Sequence, residues 1–198
     1  MLKRAFDVVV AATALVLLSP LILATAIAVH LESPGPVLFK QQRVGRGGKL
    51  FDMYKFRTML PDAKGRQDIV VPQVSDFGSY VFDPLEGGRR YTRIGRLLRS
   101  SSVDELLNLW NVLKGDMSIV GPRPEVPELV EQYLPEYHRR HNVKPGITGL
   151  AQVSGRASLT YEQTMAYDLQ YVDDHSFVRD LGILARTIPT VLSRRGAQ

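Results

Sequence analysis

The 198-residue chain contains no cysteine. Disulfide frameworks, thiol nucleophiles and cysteine-based zinc sites are therefore excluded. Aromatic residues make up only 8%, with a single Trp, and no stacking motif of the RNA-binding kind is present. The only histidines at metal-ligand spacing, His138 and His141, lie among arginines and lack a third ligand, so a metal site there is discounted. A phosphate loop of the Walker type is excluded as well. The glycines of GRGG are followed by Lys49 and Leu50, where that motif needs Lys and then Ser or Thr. The chain carries no internal repeat and no low-complexity tract.

What is present is basic and apolar. Lys and Arg number 25 against 20 Asp and Glu, a net charge of +5. That balance suits a nucleic acid, an anionic membrane or a phosphorylated substrate and does not choose among them. No charged residue occurs from Val8 to Val29, about the length of a bilayer-spanning helix. The run is longer than the apolar region of a signal peptide, and Asp7 sits among its leading basic residues. A buried core helix this uniformly apolar would need a large core around it. Two features oppose a simple crossing. Ser19-Pro20 falls mid-run and should break the helix, with the Ser19 hydroxyl free to take a carbonyl released by the proline. Basic residues flank both ends, Lys3 and Arg4 before and Lys40, Arg43, Arg46 and Lys49 after, and one crossing cannot place both flanks in the cytoplasm. The expectation is a re-entrant helix-break-helix over residues 1–33, followed by a cytoplasmic domain over 34–198 seated on the membrane.

Beyond the Pro34-Gly35-Pro36 break, VLFKQQRV and KLFDMYKF flank GRGG and read as a β-hairpin. Residues 61 to 90 are loop-like. Arg90, Arg93, Arg96 and Arg99 recur every third residue, one basic face if helical. A helix from Ser102 to Leu113 opens with the acids Asp104 and Glu105, and Ser102 with Glu105 has the spacing of a capping box. Pro122 and Pro124 stiffen the backbone on either side of Arg123, so its guanidinium has a preset direction suited to phosphate. PELVEQYLPEYHRRH reads as a helix, VKPGITGLAQVSGR as a Gly-rich loop with a short strand, and TYEQTMAYDLQYVDDH as a helix. The last helix places Leu181, Leu184, Ile188 and Val191 on one face among arginines, either against the core or on an anionic membrane surface. The fold class is α+β and mainly helical: the re-entrant helix broken at Ser19-Pro20, a small hairpin, and amphipathic helices at the membrane surface.

In chain order, KRAFD, the Ser-Pro of the apolar run, PGPVLFKQQRVGRGG, KFRTM, TRIGRLLRSSSVDELLNLWNVLKGDMSIVGPRP and VKPGITGLAQVSGR make the chain resemble the bacterial sugar transferase family along nearly its whole length. These are small monotopic phosphoglycosyl transferases, and the resemblance is to the catalytic-domain-only type. It implies transfer of sugar-1-phosphate from a UDP-sugar to polyprenyl (undecaprenyl) phosphate, with release of UMP, at the cytoplasmic face of the bacterial inner membrane. The lipid product begins glycan assembly. It implies Mg²⁺ and an Asp-Glu pair, here Asp104 and Glu105, both as catalytic groups and as metal ligands, with Asp104 forming a covalent phosphosugar intermediate. Lys55, Arg99, Arg123 and Arg156 occupy the family's basic substrate-binding positions. Partners are the UDP-sugar, polyprenyl phosphate and inner-membrane lipid, with no nucleic acid, and a homodimer is one admissible assembly. The chain departs from the pattern at Leu107-Asn108, where the family has Pro-Gln, at Leu150, where it has Trp, and in a longer segment between Arg57 and Arg90.

The chemistry is physically coherent. A carboxylate can attack a phosphoryl centre, while Mg²⁺ and arginines offset the repulsion between two anions. Adjacent helical side chains project about 100° apart, so three roles are open to Glu105: orienting the site, holding metal, or closing the capping box. The competing reading, a membrane-anchored module that binds a polyanion, accounts for charge and anchor but not for acids within the basic region or for the Pro-Arg-Pro constraint.

Overall fold

The computed structural model describes residues 1–60, 77–80, 91–155 and 158–192. Arg90, Arg156, most of the 61–90 segment and the side chain of Val191 lie outside the described residues.

Helix α1 (Leu2–Glu32) is a single helix with Pro20 inside it. The expected separation into two helices at Ser19-Pro20 is corrected to an uninterrupted one. Pro20 has no N–H to offer the carbonyl four residues back. That carbonyl belongs to Val16, and the Ser19 hydroxyl donates to it at 2.8 Å. The substitute bond keeps the acceptor satisfied at the proline.

Both ends of α1 dock on the rest of the protein. At the start, Arg4 donates to the carbonyls of Val112 (2.5 Å) and Leu113 (2.8 Å). Lys3 pairs with Asp180 at 2.5 Å. The buried Asp7 accepts from Ser118 Oγ and Ile119 N, both at 3.0 Å. At the other end the buried Arg57 donates to the carbonyls of Val29 (3.3 Å), Ser33 (2.6 Å) and Pro34 (3.0 Å), taking up acceptors left free where a helix stops. Between these ends Val16, Leu17, Leu21 and Leu23 are exposed, Val16 and Leu17 by more than 70%.

Strands β1 (Leu38–Val44) and β2 (Leu50–Phe56) pair antiparallel, with Phe39 opposite Lys55, and form the expected hairpin. Gly47, at φ 67°, and Gly48, at φ 75°, supply the left-handed backbone of its turn. Helix α2 (Arg93–Ser101) follows, and Thr92 caps it by accepting from Gly95 N. A 3-10 turn, Val103–Glu105, runs through Leu106 and Leu107 into α3 (Asn108–Lys114). Strand β3 (Ser118–Val120) pairs in parallel with β4 (Gly146–Thr148). The segment expected as one helix from Pro127 divides into α4 (Pro127–Val130) and a 3-10 stretch, Pro135–Asn142. Pro135 lacks the N–H that would continue the first helix. Helices α5 (Leu150–Ser154), α6 (Tyr161–Asp174) and α7 (Phe177–Leu192) complete the chain.

The main core joins Ala11 of α1 to Leu109 and Val112 of α3, Ile119 and Val120 of β3, Tyr171 of α6 and Ile183 of α7. A second cluster holds Val29 of α1 against Phe56 and Leu98. A third gathers Phe77, Tyr133, Tyr161 and Met165. On α7 the outward face carries Val178, Leu181, Ala185 and Ile188, whereas Leu184, expected beside them, is half-buried against the main core.

Candidate active site

The site is assembled where α2 ends. Ser102 adopts the left-handed conformation (φ 58°), the only described non-glycine residue to do so, and its N–H closes α2 on the Arg99 carbonyl at 3.0 Å. Reversing the chain there delivers Asp104 and Glu105 on the first turn of the next helical run. The capping box expected between Ser102 and Glu105 is not formed, because the Ser102 side chain makes no cap bond at this turn. Glu105 Oε1 instead accepts from Lys55 Nζ at 2.8 Å and from Arg123 NH2 at 2.7 Å, while Oε2 accepts from Arg123 NH1 at 3.3 Å. Charge-assisted bonds to two cations outweigh one neutral cap bond. The capping box in this fold is elsewhere, at Thr160 and Gln163 on α6.

Lys55 comes from the end of β2, so the hairpin positions it. Arg123 comes from the Pro-Arg-Pro segment after β3. The carbonyls of four consecutive residues in that segment are held by donors from different places. Pro122 O accepts from Gly146 N (2.9 Å) and Glu125 O from Val44 N (2.9 Å). Arg123 O accepts from the Arg140 guanidinium (2.7 Å) and Pro124 O from Arg43 (3.1 Å). Gly121 and Gly146 permit this closeness: a Cβ on Gly146 would stand 2.1 Å from Gly121 N.

Asp104 is placed differently from its neighbour. It is buried, 6% exposed, and among the described residues its carboxylate makes no hydrogen bond or ion pair. Burial first, then the Glu105 carboxylate, pushes its carboxyl up to about 6, against the opposing pull of Lys55, Arg99 and Arg123. Burial would also raise Glu105, but Arg123 and Lys55 hold its carboxyl well below the usual range. Glu105 in turn raises Arg123, and burial lowers Lys55. Adjacent carboxyls in environments that push their titrations apart can serve different roles. Here Glu105 is a fixed anion tying the hairpin to the Pro-Arg-Pro segment, and Asp104 is an unengaged carboxyl in a field of cations. Arg99 lies in that field, with its guanidinium over the Tyr91 ring at 5.1 Å.

Of the residues singled out in the sequence, Lys55, Arg123 and Glu105 are brought into direct contact. Asp104 and Arg99 adjoin them, and Arg156 lies outside the described residues. Arg140 and Asp168 carry no mark in the sequence, and Arg43 reads there only as a basic flank of the apolar run. The first two lie 28 residues apart and meet only through the fold.

Residues 1–194 match the protein family described as bacterial sugar transferase. The chain belongs to the bacterial sugar transferase family. It is accordingly an enzyme, a transferase. Among curated relatives of this sugar transferase, a Caulobacter vibrioides UDP-glucose:undecaprenyl-phosphate glucose-1-phosphate transferase is 44% identical over 98% of this chain and 71% of its own length. The uncharacterized sugar transferase EpsL of Bacillus subtilis is 43% identical over all of this chain and 90% of its own. An Aeromonas hydrophila UDP-N-acetylgalactosamine-undecaprenyl-phosphate N-acetylgalactosaminephosphotransferase is 40% identical over all of this chain and 45% of its own.

Proposed function

We propose that this sugar transferase moves sugar-1-phosphate from a UDP-sugar to polyprenyl phosphate through a covalent intermediate on Asp104. The observation that carries the proposal is the contrast between Asp104, buried and unengaged among the described residues, and Glu105, fixed by Lys55 and Arg123. In the first step an Asp104 carboxylate oxygen attacks the phosphorus bearing the sugar. The bond from that phosphorus to the bridging oxygen breaks, and UMP leaves with that oxygen. In the second step an oxygen of polyprenyl phosphate attacks the same phosphorus, the bond to Asp104 breaks, and a polyprenyl diphosphate sugar forms. Lys55, Arg99 and Arg123 supply positive charge where phosphate oxygens must approach a carboxylate.

The residues present fit Mg²⁺ in part. Asp104 offers a carboxylate with no described competitor, whereas both oxygens of Glu105 are already engaged. Mg²⁺ is commonly held by one or two carboxylates together with substrate phosphates. Asp104 is therefore the ligand of the pair, and Mg²⁺ there would lessen repulsion between carboxylate and diphosphate.

The seat is a membrane. α1 is long and apolar enough to cross one, yet both its ends are bonded to one body while its middle is bare. A seat in the cytoplasmic leaflet, with both ends of α1 at the protein surface and its bare middle in lipid, satisfies both observations and the basic flanks. Partly exposed Val16, Leu17, Leu21, Leu23 and Ile27 would each forfeit about 1 kcal/mol in water. The outward stripe of Val178, Leu181 and Ile188 on α7 suits the same interface.

The test is incubation of the full chain in nanodiscs with a panel of UDP-sugars, labelled in the sugar, with and without polyprenyl phosphate. The expected result is UMP release and a protein-bound phosphosugar that the lipid phosphate discharges. Asp104→Asn should abolish the adduct while the chain stays folded. An adduct persisting in that variant would place the nucleophile elsewhere.

A further inference from the structure

Arg140 is 3% exposed and Asp168 1%, and neither touches Glu105 or Asp104 by hydrogen bond or ion pair. Moving a guanidinium and a carboxylate out of water is costly, and a well-packed apolar pair often serves stability as well. The pair's geometry shows what else it does. One guanidinium nitrogen of Arg140, NH2, donates both to Asp168 Oδ2 at 2.5 Å and to the Arg123 carbonyl at 2.7 Å. The other, NH1, donates to the Tyr133 hydroxyl, which lies 3.0 Å from that of Tyr161. Arg140 thus grips the backbone of the residue whose side chain grips Glu105.

The position of that grip matters. Pro122 and Pro124 have no N–H, so the segment is secured largely through its carbonyls. Gly146 N and Val44 N hold the outer carbonyls from the two strand pairs. The carbonyl of Arg123 itself is reached by a side chain, Arg140, whose direction is set in turn by Asp168 on α6. A tilt of that peptide would swing a long guanidinium through a much larger arc at its tip.

Resting on the phosphoryl-transfer reading above, we propose that Arg140, aligned by Asp168, is a positioning residue that sets the direction of Arg123 toward Glu105 and the substrate phosphate. It acts through Arg123 and does not contact the reacting atoms. A merely structural ion pair, holding the Pro135–Asn142 stretch to α6, would leave the Arg123 side chain undisturbed when weakened.

The two accounts separate in a double-mutant cycle on the full chain in nanodiscs. Arg140→Lys, Arg123→Lys and the double variant are compared for the rate of phosphosugar capture at saturating UDP-sugar, alongside thermal midpoints. Arg140→Lys should slow capture roughly tenfold to a hundredfold, the scale of a misaligned catalytic group, with KM for the UDP-sugar little changed. In the Arg123→Lys background the same change should matter by no more than about twofold, because linked residues are non-additive. Losses that multiply would overturn the proposal. Should Arg140→Lys fail to fold, Tyr133→Phe, which removes one acceptor of Arg140, replaces it in the same cycle. A second readout does not need turnover: the Arg123 Nε–H signal in ¹⁵N-arginine-labelled protein should shift toward that of a mobile arginine in Arg140→Lys. An unchanged signal also overturns the proposal. If the unaltered chain captures no sugar from any donor, the reaction assigned above fails, and the NMR comparison still decides whether Arg140 directs Arg123.

Discussion

Arg123 holds Glu105 through two nitrogens, 2.7 Å to one carboxylate oxygen and 3.3 Å to the other, and leaves neighbouring Asp104 untouched by any ion pair among the described residues. Two consecutive acids, separated by about a third of a helical turn, are thereby given opposite electrostatic fates. One is an anion in a fixed frame, and the other is a carboxyl held near the edge of neutrality.

Activity should therefore depend on pH through Asp104. On the proposed mechanism the carboxylate is the attacking form, so the rate of phosphosugar capture should fall as pH drops through about 6. The check is a single-turnover capture profile from pH 5 to 8. An acid limb near the ordinary aspartate value would contradict the assignment.

The same shift carries a stability consequence of opposite sense to the usual acid effect. The folded state binds the Asp104 proton more tightly than the unfolded chain does, so this group's contribution is full below about 4 and is lost as pH rises toward about 6. A rise from 3.8 to about 6 corresponds to roughly 3 kcal/mol at most. Asp104→Asn should accordingly raise the thermal midpoint at pH 7.5 while abolishing capture, and the gain should shrink at pH 4.5. Thermal melts of both proteins at the two pH values measure this.

Removing the charge of Glu105 should do two kinds of damage. Glu105→Gln leaves Lys55 and Arg123 without their shared anion in a half-buried site, and a loss of about 3 kcal/mol is the scale for breaking such a pair. The carboxylate that helps push Asp104 up is gone as well, so the acid limb of the capture profile should move to lower pH. Melting and capture profiles on one preparation test both outcomes.

Gly146→Ala should be more severe than its size suggests. The added carbon would meet Gly121 N at 2.1 Å, a backbone contact that no side-chain rotation relieves. The β3–β4 pair would have to part, and with it the carbonyl contact that holds Pro122. The expected result is a loss of several kcal/mol in stability together with loss of capture, read by melting and by the labelled-donor assay.

The chain's lack of cysteine makes a clean test of the membrane path. Single cysteines at Leu2 and Lys40, labelled with an impermeant reagent in oriented vesicles, should react from the same, cytoplasmic side. Labelling from opposite sides would require a crossing.

Much of this site was legible in the sequence because the acids and the Pro-Arg-Pro segment each carry a local pattern that survives without the fold, whereas Lys55 is reached only through the family resemblance. The hairpin was legible for the same reason, as strand, glycine turn and strand lie consecutively. Misreadings occurred where one local pattern serves two outcomes. Ser and Glu three residues apart fit a cap, and only the arrival of Lys55 and Arg123 from distant segments diverts Glu105. Pro20 announced a break that Ser19 averts with one hydrogen bond. Arg140 and Asp168 were invisible because a buried ion pair formed across the fold has no signature in either neighbourhood. Lys3 and Arg4 were read as charges facing a membrane boundary, and they are also the bonds that fasten α1 to β3, α3 and α7.

That fastening has a bearing on biogenesis. Lys3 and its partner Asp180 lie 177 positions apart, so Lys3 leaves the ribosome long before the residue it pairs with. The first turn of α1 must wait until α7 has been synthesised before it can be locked down. Closure of so long a loop is a late event in folding. Deleting the helix would remove a wall of the core and leave Asp180 with the Tyr171 hydroxyl but without Lys3, so helix and catalyst are made, and lost, together.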